Sequence, residues 1–450
     1  MTINKTKIAG ALMLLLSGHI VASEVSLNEL NLREEFYPEN FREDLQTNLN
    51  FFLDGVGVNV DAKVPYDTVF VKDGVVYPEY YVNTTEIGLY LNVLVEAEKA
   101  GNEDALIRIA EVLDTVEAAP KWNGLFYWPY EIEGDKLEMN KDEIVPAVDN
   151  GNFMFSLAAV AGAYIDSTEP AKQDIVARIE TIFDNTKEGW VKLYDPTRDL
   201  LRAGWKTTTN AAIPYHIDRK ANESRLAPLW AALITSDMDT PVPQSAFNNM
   251  ETYTAKYNYA GREFNPILTW DGSYFQAMLP AIFLDERALT PDYTMIEDMT
   301  YGHMAYAAKH NVPLVSASAT VDDRYSAYGV PFLSESKVLF NNEMHGANDP
   351  VTGTPHALAL SYIVDPAMAV KALSQLKETH PGIVSPYGWF DAVDTEGRIS
   401  TKILSLDQGM FVGAFLATSI NEDVYRYLDA RGHAEMVKDM YQSFKPDNKS

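Results

Sequence analysis

The chain of 450 residues contains no cysteine. Disulfides, thiol nucleophiles, thiolate metal sites and a lipidated cysteine are thereby excluded, and stability has to come from burial. Positive charge is scarce as well: 36 Lys and Arg stand against 64 Asp and Glu, a formal net charge of −28. That surplus repels nucleic acid, anionic lipid and polyanionic polymers and favours a neutral or cationic ligand. No apolar run approaches the roughly 20 residues of a bilayer span. The nearest, Ile8 to Leu16, follows Lys5 and Lys7 and precedes Val21, Ala22 and Ser23, the three-part layout of a secretory signal peptide. Residues 1–23 are expected to be a leader, and the mature protein to be exported to the periplasm or the medium without membrane insertion.

Missing motifs narrow the chemistry further. There is no glycine-rich phosphate loop, no zinc-protease helix and no Gly-x-Ser-x-Gly elbow, and the eight histidines include no His-x-x-x-His pair. Asp322 with Asp323, and Asp391 with Asp394, lack the spacing of a calcium loop. No metal and no cofactor is expected.

Helical periodicity is what the sequence does have. Apolar residues recur at three-to-four spacing over Glu34–Leu53, Thr84–Ala100, Asp104–Ala118, Gly151–Ile165, Ala171–Lys187, Glu223–Thr235, Gly272–Leu284, Asp292–Lys309, Pro366–Glu378, Gln408–Thr418 and Glu422–Tyr441. Strand-like alternation is local, as in Asp67–Val71 before Asp73-Gly74. Connections alternate between tight turns (Ala100–Asp104, Ile165–Ala171, Thr418–Glu422) and long segments rich in Gly, Pro, Trp and Tyr (Leu53–Thr84, Ala118–Gly151, Lys187–Glu223, Lys309–His356, Glu378–Gln408). Short turns make helical hairpins, and about six in succession predict an all-α (α/α)6 toroid with the long loops at one mouth. The organisation expected is one catalytic domain over 24–444 and a polar tail over 445–450, with small hairpins decorating the loops.

Five long loops deliver a carboxylate where an inner helix begins: Glu86, Asp149, Glu223, Asp271 and Asp407. Any one of them is accounted for by helix capping and the helix dipole. Capping does not account for the aromatic company of these loops: Trp122, Trp128, Trp205, Tyr215, Trp270, Tyr325, Tyr328, Tyr387, Trp389 and Phe390. Such rings also cover the edges of a core. Aromatic faces beside carboxylates, with few basic groups, fit a neutral carbohydrate and supply the two acids that glycoside hydrolysis requires.

Several pieces then resemble one family: Glu86-Ile87-Gly88-Leu89-Tyr90, Val148-Asp149-Asn150-Gly151-Asn152, Asp218 five residues before Glu223-Ser224-Arg225-Leu226, Trp270-Asp271-Gly272-Ser273-Tyr274-Phe275, Ser334-Glu335-Ser336, Tyr387-Gly388-Trp389-Phe390-Asp391-Ala392-Val393-Asp394, and Asp407-Gln408-Gly409. In this order the chain resembles the glycoamylase-like enzymes, which include bacterial endo-β-1,2-glucanases and the cyclisation domain of cyclic β-1,2-glucan synthases. The resemblance implies an (α/α)6 toroid that cuts β-1,2-glucan internally with inversion. Carried over by motif, Glu223 would be the general acid and Asp407 the general base. Glu86, Asp149, Asp218, Tyr215, Arg225, Trp270, Asp271, Glu335, Tyr387, Trp389, Phe390 and Asp391 would contact substrate. Two positions depart from the family: Asp391 stands where relatives often have Glu, and Glu86 where Asn is frequent, which bears on the outer subsites and the linkage preference.

The implied roles carry physical demands. Glu223 has to stay protonated, its pKa raised by burial and by neighbours such as Asp218 against the helix start and Arg225. Asp407 has to be ionised, and an inverting pair stands about 6.5–9.5 Å apart unless a relay lengthens the path. A bell-shaped pH profile is expected. Rival readings remain open from sequence alone: a polysaccharide lyase, which the net charge disfavours; a glucan-binding protein without turnover; and a transglycosylase, which differs only in its acceptor.

Overall fold

The computed structural model describes residues 25–259, 261–342 and 350–447; the leader read at 1–23 and the last three residues of the tail lie outside the described residues. At the centre stand Thr84–Lys99, Ala147–Tyr164, Leu226–Ile234 and Ser405–Ala430. Ala147–Tyr164 packs against the other three, and Ser405–Ala430 also packs on Thr84–Lys99. Nearly every residue of Ala147–Tyr164 is buried, so it carries no polar stripe.

Glycines allow these helices to approach. A Cβ on Gly88 would come within 2.4 Å of Ser156 Oγ, one on Gly151 within 2.6 Å of the Ala227 backbone, and one on Gly409 within 2.8 Å of Leu89 Cβ. By contrast, Glu103–Ala118 and Pro170–Leu193 bury one stripe each, Ile109, Val112, Leu113 and Val116 on the first and Ile175, Ile179, Ile182 and Phe183 on the second. Their polar faces look outward, as in helices that cover a core. Each follows a central helix through a tight connection. No described helix is long and apolar enough to cross a membrane.

The structure corrects several expectations. Thr418–Glu422 is no turn: one helix runs unbroken over Ser405–Ala430 and breaks at Gly432 (φ +72°) before Ala434–Tyr441. Glu34–Leu53 is interrupted, with helical turns at Glu34–Phe36, Arg42–Leu49 and Asn50–Phe52, because Pro38 lacks the N–H that a continuous helix would need. Gly272–Leu284 shortens to Tyr274–Met278 and a 3₁₀ turn at Leu279–Ile282, with Pro280 at the junction. The segment read as a loop over Lys309–His356 contains the helix Glu335–Phe340 and the start of another, Pro355–Leu360.

An all-α description also falls short: the fold is helix-rich with eight small sheets among the described residues. The largest orders Ala211–Ala212, Gly204–Lys206, Lys136–Pro146, Trp128–Glu133 and Tyr81–Val82. In another, Thr68–Lys72 pairs with Val75–Glu79 around Asp73-Gly74, both at positive φ as the tight hairpin requires. Its other edge pairs with Lys402–Leu404, Thr68 opposite Leu404, and Ser405 N–H donates to Asp67 O at 2.7 Å. That pairing sets two distant loops beside the start of the Ser405 helix. The tail is tied back where it begins, Asp447 N–H donating to Thr252 O (3.0 Å) and its carboxylate accepting from Thr252 N–H (2.9 Å).

Candidate active site

Three of the predicted carboxylates occupy the same position in their helices. Glu86, Asp149 and Asp407 are each the third residue of a central helix, and each precedes by two the glycine that permits close packing. Glu86 completes a capping box with Asn83: Glu86 N–H donates to Asn83 Oδ1 (3.1 Å) and Asn83 N–H to Glu86 Oε2 (2.9 Å). Glu223 opens the 3₁₀ turn Glu223–Arg225 ahead of Leu226–Ile234.

These helix starts meet at a cavity of about 420 Å³. Glu86, Asp149 and Glu223 line it, with Asp67, Tyr81, Trp128, Phe275, Tyr325, Lys402 and Leu406 among the other walls. The lining thus carries four carboxylates and one ammonium. Glu223 Oε2 is buried and makes no hydrogen bond among the described residues. Burial pushes its pKa up to about 7; Asp149 and Asp271 add to the rise, while its own backbone N–H and Arg225 oppose it. Asp149, whose Oδ1 accepts from Thr85 Oγ1 at 2.8 Å, is raised to about 6, chiefly by burial.

Asp407 is buried beside this cavity, one residue after the lining Leu406. Burial holds its pKa well above the usual carboxylate range, Asp67 adds to the rise and Lys402 opposes it. Its Oδ2 lies 3.0 Å from His356 Nδ1, while that nitrogen is hydrogen-bonded to Thr354 Oγ1 at 2.7 Å. Burial pushes His356 down to about 3, which keeps the imidazole neutral. Tyr325 reports on the geometry of the pair. Its hydroxyl pKa is raised by desolvation first, then by Asp407, Glu223, Asp67 and Asp271, so both predicted catalytic acids lie within electrostatic reach of one phenol.

Asp67 was read only as the start of a strand. It shares a hydrogen bond with Glu86, whose pKa is raised well above the carboxylate range by burial and by Asp67. Lys402, Tyr81 and Asp67 reach the cavity through the sheet pairing of loops far apart in the chain, for which the sequence carries no local signal. A repeated acid-x-Gly at the three helix starts is legible in the sequence and would have marked the cavity wall.

Other predicted residues fall elsewhere. Asp218 does not serve as the neighbour that raises Glu223: its carboxylate is 3.1 Å from Arg219 Nη1. Arg219 also holds Glu335 at 2.7 Å and Glu251 at 3.1 Å, so Asp218 and Glu335 form a second acidic cluster around one cation. Burial raises Glu335 to about 7 against the pull of Arg219. Trp270 packs against Phe340 (ring centroids 6.3 Å), and Asp271 is buried behind it, 3.5 Å from Gln276 Nε2.

Four residues read as substrate contacts lie outside the cavity lining. Arg225 is fully buried and ion-paired to Glu286, its Nε and Nη2 at 2.7 and 2.6 Å from the two carboxylate oxygens. Trp389 is fully buried against Phe41 and Phe411, which makes it core. Asp391 is buried too, its carboxylate accepting Leu404 N–H at 3.0 and 3.1 Å, and burial and the charge of Asp407 raise its pKa. Phe390 packs on the core edge. Tyr387 is half-buried, its hydroxyl donating to Gly74 O at 3.0 Å, and Tyr215 is 69% exposed outside the cavity lining. Among the described residues no group of three His, Asp or Glu side chains is arranged to hold a metal ion.

Comparison with known proteins bears on this arrangement. The family model described as "Glycoamylase: Putative glucoamylase" matches residues 215–416. The cyclic β-(1,2)-glucan synthase NdvB of Rhizobium meliloti is 25% identical over 288 residues, 58% of this chain. The match takes in only 9% of that much longer protein. Among solved structures, the endo-β-1,2-glucanase of Talaromyces funiculosus superposes with a TM-score of 0.76 at 12% identity, covering 90% of both chains. A glucoamylase-like protein of Bacteroides caccae superposes at 0.71 with 17% identity, over 88% of this chain and 97% of its own. At these identities the structural likeness concerns the fold. The family model over residues 215–416 and the curated relative agree with the resemblance that the motifs carry.

Proposed function

We propose that the protein is an exported, endo-acting glycoside hydrolase that cuts β-1,2-glucan with inversion, on a single (α/α)6 toroid. The observation that carries the proposal is Glu223: a carboxyl on the wall of a carboxylate-lined cavity, its Oε2 buried and without a hydrogen-bond partner among the described residues, its pKa raised to about 7. A general acid needs that state, because it must hold its proton at neutral pH until the leaving oxygen takes it. Support for the substrate comes from the relatives. The Talaromyces enzyme is described in complex with sophorose, and a mutant of it with β-1,2-glucan.

In the proposed reaction Glu223 gives its proton to the glycosidic oxygen as the C1–O bond breaks. Water attacks C1 from the opposite face, and Asp407 takes the water's proton, directly or through a relay. Lys402 favours the ionised form that Asp407 needs, against burial and Asp67. The fixed carboxylates Glu86 and Asp149 accept sugar hydroxyls, and Trp128 offers an apolar ring face.

Incubation with linear β-1,2-glucan tests the proposal. New reducing ends, released first in the α-configuration by NMR, are expected; a β-configured first product would remove inversion. Cleavage of a different neutral glucan in place of this one would remove the linkage.

A further inference from the structure

The cavity around Glu223, at about 420 Å³, sits near the small end of ligand pockets, which run from about 300 to 1,000 Å³. It can enclose only a short stretch of a polymer. An endo-acting enzyme has to hold sugar units beyond it, and the structure shows where the surface continues. A second, more open cavity of about 360 Å³ adjoins the first, lined by Tyr80, Tyr81, Pro129, Glu131 and Asn140. Tyr81 and Pro129 line both, so the two form one groove.

The floor of this groove is the outer face of the five-stranded sheet. Tyr81 stands opposite Glu131 in the register. Along Trp128–Glu133, Tyr130 and Ile132 point into the core while Trp128, Glu131 and Glu133 face solvent. A register shift between Trp128 and Tyr130 lets Trp128 and Pro129 both reach the groove instead of alternating across the sheet. Tyr80 is 58% exposed, and its ring is fixed edge-to-face against Tyr66 (5.3 Å, 78°). At the far side Asn140 Nδ2 donates to Glu131 Oε1 at 2.9 Å, which holds an amide and a carboxylate ready for hydroxyls. The lining offers an aromatic ring held in place, hydrogen-bonding groups and no basic residue.

We propose that this outer groove is an accessory sugar-binding subsite, with Tyr80 the stacking platform and Glu131 and Asn140 the hydroxyl partners for units of the same neutral glucan chain that passes Glu223. It rests on the proposed hydrolase reading and adds a length-discriminating role for residues outside the catalytic cavity. Continuity of the groove argues for that occupant, and the absence of a lining cation argues against an anionic one.

The test uses the Glu223→Gln full-length protein, titrated calorimetrically with short and long β-1,2-glucooligosaccharides, with and without Tyr80→Ala and Asn140→Ala. Tyr80 is exposed and Asn140 partly so, and neither belongs to the core. Each change is expected to weaken the long chains roughly three- to tenfold, the scale of one aromatic contact, and to leave the shortest binders unchanged. In the Glu223 enzyme the same substitutions should lower kcat/KM on long glucan by a similar factor and spare short substrates. Equal effects on long and short chains, or none, in an enzyme that does cut the glucan would overturn the subsite and leave the reaction standing. Absence of any glucan binding or cleavage would overturn both.

Discussion

Two of the central helices carry acids at both ends, and the two ends are built differently. At the starts, Glu86 and Asp407 are buried with pKa values well above the carboxylate range; Asp407 has a neutral imidazole at 3.0 Å and, among the described residues, no Lys or Arg within ion-pair distance. Further along the same helices, Glu96 and Asp423 are also buried, but they are paired. Lys99 Nζ lies 2.7 Å from Glu96 and 2.5 Å from Asp423, Arg33 reaches Glu96 at 3.0 Å and Arg426 reaches Asp423 at 3.2 Å. A carboxylate in the first turn is helped by free N–H groups and the helix dipole and can do without a cation. Glu96, in the last turn, faces the negative end and needs one. The paired end fastens the N-terminal segment and two helices together, and the unpaired end keeps carboxyl groups available for proton transfer.

Breaking the unpaired end should abolish turnover and spare the fold. Glu223→Gln and Asp407→Asn are each expected to lower kcat by about 10²–10⁴, the range of positioned acid–base groups, with oligosaccharide binding retained in calorimetry. Loss of binding together with turnover would point to a disrupted cavity instead. A structural pair should respond the other way. Arg225→Met leaves the fully buried Glu286 uncompensated, and chemical denaturation should show a loss of about 3–5 kcal/mol. Activity should fall as well, because Arg225 also donates to the carbonyls of Ala221 and Asn222 ahead of Glu223.

Lys99→Met sharpens the contrast at smaller amplitude. With Lys99 partly exposed and Arg33 and Arg426 still present, about 1–2 kcal/mol of stability should be lost, with kcat unchanged. The pH dependence gives the subtlest check. Glu223 works protonated, so the alkaline limb of kcat/KM should fall near pH 7, tenfold per unit. Because its folded pKa is raised, its contribution to stability is fully present below the unfolded carboxyl value and is lost as pH rises through about 7. Glu223→Gln removes that loss, and its melting temperature should exceed that of the parent above pH 7 but not at pH 4.

Much of this was legible in the sequence. Local periodicity located the long helices, and the five loop carboxylates were noticed because each stands where a long loop meets a helix start. At three of them, Glu86, Asp149 and Asp407, close helix packing depends on a glycine two residues later, a regularity visible in the letters once helix packing gives it meaning. What stayed hidden arises from long-range pairing. Asp67 and Lys402 enter the site because Thr68 sits opposite Leu404, and no local pattern records that partnership. Trp389 and Arg225 were read as substrate contacts for a related reason. An aromatic or an arginine beside a motif looks functional in one dimension, whereas burial against Phe41 or pairing with Glu286 is a three-dimensional fact. The helix through Thr418–Glu422 misled because Asn421 and Glu422 resemble a helix start, although nothing there breaks the backbone ladder.

Reducing-end release from linear β-1,2-glucan, measured side by side for the unmodified protein, Glu223→Gln and Asp407→Asn, tests the central claim most directly. The account predicts steady release by the first and, at unchanged oligosaccharide affinity, almost none by the other two. Undiminished release by either variant would contradict it.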